Sequence, residues 1–174
     1  EAEVTTRSAN ALAARIRAAA FPVLKDFDTF DFAACPSLPK QKVLELSRGE
    51  WIEQHFNCCL IGNAGTGKTH VATSLGFAAC RPGRREKFVT AAGLVKQWGA
   101  AQQQHRLDRL LSQLDRLDLM IVDELGYLSS SRSGAELMFP VFAGRYARRS
   151  LRGTVHVDVS GWGRVCEGDR LTGA

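Results

Sequence analysis

The run Gly62-Asn63-Ala64-Gly65-Thr66-Gly67-Lys68-Thr69 sits directly after the short apolar stretch Cys58-Cys59-Leu60-Ile61. Its spacing, G-x-x-x-x-G-K-[ST], is that of a loop that cradles phosphates, a P-loop. A triphosphate must be held by several donors approaching at close range. Glycines at 62, 65 and 67 remove the side chains that would block that approach and permit positive φ. Successive backbone N–H groups then form an anion-binding concavity at the start of a helix, whose dipole adds partial positive charge. Lys68 is expected to reach the β and γ phosphates, and the Thr69 hydroxyl to hold Mg²⁺. The candidate nucleotide-contacting stretch is Gly62, Asn63, Ala64, Gly65, Thr66, Gly67, Lys68 and Thr69, with His70 immediately behind them in the helix.

A second constellation lies about fifty residues on. Leu117-Asp118-Leu119-Met120-Ile121-Val122 ends in Asp123-Glu124. A mostly apolar run of this kind reads as a parallel strand covered by helices on both faces. Ligands of such sheets sit at the carboxyl ends of the strands. Asp123 is therefore placed to hold the Mg²⁺ shell, and Glu124 to polarise an attacking water.

The elements that must position these residues follow from periodicity and punctuation. Residues 5–19 alternate small apolar and basic types and read as a basic helix ending near Phe21-Pro22. Phe27-Asp28-Thr29-Phe30-Asp31-Phe32 is an aromatic segment expected to pack on the core, or otherwise on a nucleotide base. Residues 38–54 read as one helix with Val43, Leu44, Leu46 and Trp51 on its apolar side. Strand 57–61, helix 68–80 and strand 87–90 follow. Residues 92–116 read as helical with a break near Gly99, and Leu107, Leu110, Leu111, Leu114 and Leu117 recur at helical spacing. A strand over 118–122 precedes a helix at about 134–148 that contains Pro140. The pattern at 151–158 is a poor strand. Strands alternating with helices imply an α/β fold, a parallel sheet flanked by helices.

Bulk properties fit this organisation. The chain has 174 residues, 45% of them hydrophobic and 24% charged, which suits a soluble domain with a real core. No apolar stretch approaches the roughly 20 residues that span a bilayer. The polar N-terminus shows no secretory signal and begins with Glu1, so the sequence reads as a fragment or incomplete frame. The five cysteines show no C-x-x-C spacing and read as buried thiols of a reducing, cytoplasmic setting. The histidines at 55, 70, 105 and 156 form no metal-ligand spacing. The net charge of +5 permits contact with nucleic-acid phosphates without requiring it.

FPVLKDFDTFDF, KQKVLELSRGEWIE, LIGNAGTGKTHVATSLG, VDELGY, GAELMF and GDRLTGA together resemble the IstB-like transposition helper ATPases, relatives of DnaC-like helicase loaders within the AAA+ class. The resemblance runs from about residue 10 to 174. It implies a P-loop NTPase of AAA+ type with three α/β/α layers, preceded by an N-terminal basic helix and linker at 1–36. The ATPase domain would then be 37–174, incomplete at its C-terminus. It implies ATP and Mg²⁺ as cofactors, assembly into homo-oligomers on double-stranded DNA, and a transposase partner or else a replication factor to be loaded. Lys68 and Glu124 would serve catalysis, and Thr69 and Asp123 the metal. Arg170 would be the arginine finger that reaches a neighbouring subunit's nucleotide, a role that can be worth ~10³–10⁵ in rate. Lys96, Arg106 and Arg109 are candidates for DNA contact.

Several residues depart from the family pattern. His156 stands where a polar sensor Asn is expected, and Arg152 and Gly153 interrupt what should be an apolar strand. Burying an unpaired arginine is costly, so this strand is expected to be displaced or badly formed. Pro140 and Gly144 fall in the preceding helix, and the chain stops at Ala174. The expectation is a truncated or decayed copy in which nucleotide binding outlasts hydrolysis. Two other readings remain open: a non-catalytic module that binds DNA or a transposase, and a P-loop kinase, against which the adjacent Glu124 argues.

Overall fold

A computed structural model of the chain describes residues 2–36, 38–63, 65–126, 141 and 150–155. Its first helix, α1 (Ala2–Ala19), is followed by α2 (Lys40–Ser47) and the short α3 (Glu50–Glu53). Then come β1 (Cys58–Ile61), α4 (Lys68–Cys80), β2 (Glu86–Thr90), α5 (Ala91–Gln103), α6 (Leu107–Asp115), β3 (Leu119–Asp123) and β4 (Ser150–Val155). The strands form one sheet in the order β1-β4-β3-β2, every pair parallel.

The pleat of β3 sorts its side chains between two cores. Leu119 and Ile121 join Trp51, Ile52, Ala72, Ala79 and Phe88 on one face. Met120 and Val122 join Val89, Ala91, Leu94 and Leu114 on the other. These four side chains of β3 are fully buried, as a strand sandwiched between helices requires. The fold is therefore α/β with three layers: α3 and α4 on one side of the sheet, α5 and α6 on the other. The basic helix α1 is tied to the α4 side, where Arg15 Nε donates to the Cys80 carbonyl at 3.0 Å. Lys87 Nζ donates to the Ala18 carbonyl at 3.5 Å.

Four local expectations are corrected. The helix expected over 38–54 is two helices, because Gly49 at φ 80 turns the chain between them. A Cβ there would also run into the Arg84 guanidinium, which is held by Glu53 at 2.7 Å. Of its supposed apolar side, Val43 and Trp51 are buried and Leu46 packs on the core, but Leu44 is 40% exposed. The break in the following helical region falls at His105, φ 53, and not at Gly99. Leu94, Val95 and Trp98 pack on the core and carry α5 through Gly99, whose helix penalty is only about 1 kcal/mol.

The third correction concerns 151–158. Its described part, residues 151–155, is neither displaced nor at the margin: β4 lies between β1 and β3, with Arg152 opposite Cys58 and Ile121, while residues 156–158 lie outside the described residues. Ladder bonds are made by main-chain groups, which Arg and Gly supply as well as any residue except proline. The fourth concerns the thiols. Cys80 is buried, but Cys59 is exposed on β1 and Cys35 and Cys58 are only partly covered. Burial, with the Glu86 charge adding to it, pushes the Cys80 thiol up to about 12.

Close packing leaves little tolerance under α4. A Cβ on Gly76 would come within 2.6 Å of Ile121 Cδ1 and 2.7 Å of Phe21 Cε1. Gly76→Ala would gain about 1 kcal/mol of helix propensity against an overpacking cost of about 1–3 kcal/mol. A lowered urea midpoint is expected; an unchanged or raised midpoint would show that Phe21 yields freely.

Candidate functional site

The loop between β1 and α4 ends in Gly67, which caps α4 in the left-handed region at φ 80. Gly65 is also left-handed, φ 78, and a Cβ there would meet nothing within 4 Å. The space above the loop is open at that point. Gly62 differs from the expectation. Its φ is not positive; glycine there leaves room for Thr66, whose Oγ1 a Cβ would crowd at 3.2 Å. Ala64 lies outside the described residues.

Lys68 begins α4 and is only 7% exposed. Its ammonium turns back over the loop, donating to the Gly62 carbonyl at 2.7 Å and to the Asn63 carbonyl. It also reaches Thr66 Oγ1 at 3.3 Å. Burial holds its pKa below 10.5, and the Asp123 charge partly offsets that. The ammonium is therefore a desolvated cation whose present partners are neutral oxygens. Such a cation gains when an anion arrives. The N–H groups of the first turn of α4, free of intrahelical partners by construction, add to the same field.

Thr69 and Asp123 are far apart in sequence and meet here. Thr69 Oγ1 donates to Asp123 Oδ2 at 2.9 Å, bringing the end of β3 to the first turn of α4. Asp123 is 6% exposed and its Oδ1 accepts the Glu124 N–H at 3.1 Å. A hydroxyl beside a carboxylate suits a hard cation that keeps waters and phosphate oxygens for its remaining positions, so the pair fits Mg²⁺. Among the described residues there is no cluster of three or more His, Cys, Asp or Glu able to hold a metal alone.

Glu124 is exposed beside this pair with φ 59. A left-handed glutamate is a strained conformation, costing about 1–2 kcal/mol. Strain of this kind concentrates at functional positions. Nothing in the residue types announced it. The His70 ring packs edge-on to Phe30, centroids 4.9 Å apart. Phe30 itself is buried with Val43, Val71 and Leu75, so the aromatic segment packs on the core. Cys35, whose Sγ donates to the Thr66 carbonyl at 3.7 Å, was missed, and no spacing signal could have found it.

The structure thus brings together Gly62, Asn63, Gly65, Thr66, Gly67, Lys68, Thr69, Asp123 and Glu124. Arg170, His156, Pro140 and Gly144 lie outside the described residues. Lys96 on α5, Arg106 at the start of α6 and Arg109 within it are all exposed. Arg106 Nη1 donates to Gln104 Oε1 at 3.4 Å.

Comparison with known proteins places this chain in a family. The model of the IstB-like ATP binding proteins matches residues 1–174. The chain is 33% identical over 172 residues to a protein of Bacillus thuringiensis subsp. berliner named for ATP binding in insertion sequence IS232. The match covers 99% of this chain and 69% of that protein. Across four such relatives the chain spans 58–69% of their length. The fold is similar to AMPPCP-bound DnaA of Aquifex aeolicus, TM-score 0.66 at 18% identity, over 84% of this chain and 48% of that one. It is also similar to the DnaC helicase loader, TM-score 0.59 at 19% identity, covering 73% of each chain. A parallel sheet carrying a phosphate loop on β1 and an acidic pair on β3, in a sequence matched end to end by one family, makes this chain a member of the IstB-like ATP-binding proteins.

Proposed function

We propose that the chain binds ATP with Mg²⁺ at the loop after β1 and uses the bound state to assemble on double-stranded DNA for a transposase. The observation that carries this is the convergence of Lys68, Thr69 and Asp123 at the N-terminus of a 13-residue helix. Relatives named for ATP binding in insertion sequences support it.

The chemistry assigns each residue a task. The amides of the loop and of the first turn of α4 receive phosphate oxygens. Lys68 exchanges its carbonyl partners for phosphates. Thr69 and Asp123 would hold Mg²⁺, which supplies charge neutralisation across the phosphates. Glu124 orients water toward the terminal phosphorus and takes its proton. Arg170 of a neighbouring subunit stabilises charge that develops on the transferred group. Positioning and electrostatics supply the rate, since the protein forms no covalent bond in such a reaction. Among the described residues no helix is long and apolar enough to cross a membrane, and the proposed setting is the cytoplasm, where DNA is accessible.

The functional test is assembly. Sedimentation of the chain with duplex DNA is expected to show larger protein–DNA species with ATP and Mg²⁺ than without nucleotide, and the gain is expected to vanish for Lys68→Ala. DNA binding at one fixed size whatever the nucleotide would instead favour a non-catalytic binding module.

A further inference from the structure

The phosphate loop is rich in glycine and has few side chains with which to hold its own shape. It is braced from outside by a segment that precedes it in the chain. Residues 26–36 run beside the loop and the first turn of α4 and touch them at three places. The Asp26 carbonyl lies 3.3 Å from His70 Nε2. The Phe30 ring meets the His70 ring and also backs Gly67, where a Cβ would come within 3.3 Å of Phe30 Cε2. Cys35 Sγ reaches the Thr66 carbonyl at 3.7 Å.

The brace is itself well anchored. The Thr29 N–H donates to Asp26 Oδ1 at 3.1 Å, and the Ala33 N–H to Asp31 Oδ1 at 2.9 Å. Phe32 packs edge-on to Phe30, centroids 4.7 Å apart, and carries the Lys40 ammonium 5.3 Å from its own ring centre. Phe30 is wedged between α2 and α4 through Val43, Val71 and Leu75. Its ring therefore links the hydrophobic core to the left-handed glycine that starts α4.

We infer that Phe30 is a positioning residue for the phosphate-binding loop. It acts through Gly67 and His70, with Cys35 fixing the Thr66 peptide from the same side. A loop held in its binding shape spares the ligand the ordering cost, and a small displacement of the groups that align phosphates is expensive. The aromatic segment thus serves the nucleotide site through its contacts with Thr66, Gly67 and His70. This inference rests on the nucleotide reading of the loop.

The test compares wild type, Lys68→Ala, Phe30→Leu and Val43→Ala, each checked by circular dichroism to be folded at the working temperature. Binding of a fluorescent ATP analogue with Mg²⁺ is measured alongside hydrogen exchange of the amides of residues 65–69 without nucleotide. Phe30→Leu is expected to bind about 10- to 100-fold more weakly and to exchange its loop amides faster. Val43→Ala opens the same cluster away from the loop and is expected to change neither reading. Wild-type affinity and exchange in Phe30→Leu would overturn the inference, as would equal losses in Val43→Ala. Should Phe30→Leu not fold, Phe30→Met is read in the same way. Failure of the wild type to bind would overturn the nucleotide reading itself, and this inference with it.

Discussion

Glu124→Gln is expected to bind ATP as the unmodified chain does and to turn it over about 10²–10⁴ times more slowly, the contribution of a positioned general base. The substitution keeps the shape and the hydrogen-bonding reach of the side chain and removes only its capacity to take a proton. The left-handed backbone at Glu124 and its N–H bond to Asp123 Oδ1 involve main-chain atoms that the change leaves alone. Fold and metal pair should therefore persist. Phosphate release under saturating ATP, set beside the affinity, checks this. Equal turnover in both proteins would remove Glu124 from the mechanism and reopen the reading in which the terminal phosphoryl goes to an acceptor other than water.

Lys68→Ala should act on the other side of the cycle, weakening ATP binding by about 10²–10³. That corresponds to two charge-assisted hydrogen bonds at about 1.5–2 kcal/mol each. The change is not expected to unfold the protein. Lys68 is a buried cation bound only to neutral loop oxygens, and deleting a desolvated charge offsets the bonds lost with it. Affinity should collapse while the thermal midpoint stays close to that of the parent. A parallel fall in both would mark Lys68 as a structural residue of the loop.

The sequence was legible where a single physical rule governs a stretch. The run Leu119-Met120-Ile121-Val122 must be buried on both faces to be stable in water, and it is. The glycines and lysine of the loop are required by the close approach of phosphate, and their order is visible in one dimension. The strand–helix alternation carried the parallel sheet flanked by helices. Boundaries set by tertiary contact were not legible. Gly49 divides a helix because Arg84, far along the chain, occupies the space a side chain would need. Gly99 does not divide one, because Leu94, Val95 and Trp98 hold α5 to the core. Arg152 and Gly153 lack the apolar side chains that mark a central strand in a sequence, whereas strand pairing uses main-chain groups. In the site, the meeting of Thr69 with Asp123 was implied by the fold, while the bracing of the loop by Phe30 and Cys35 depends on a chain path no periodicity encodes.

Titration of ATP into the unmodified chain, with Mg²⁺ and then with Mg²⁺ chelated, tests the central claim most directly. The account predicts saturable binding that weakens when the metal is removed, because Thr69 and Asp123 reach the phosphates through it. Absence of binding, or binding indifferent to Mg²⁺ and to the loss of Lys68, would contradict it.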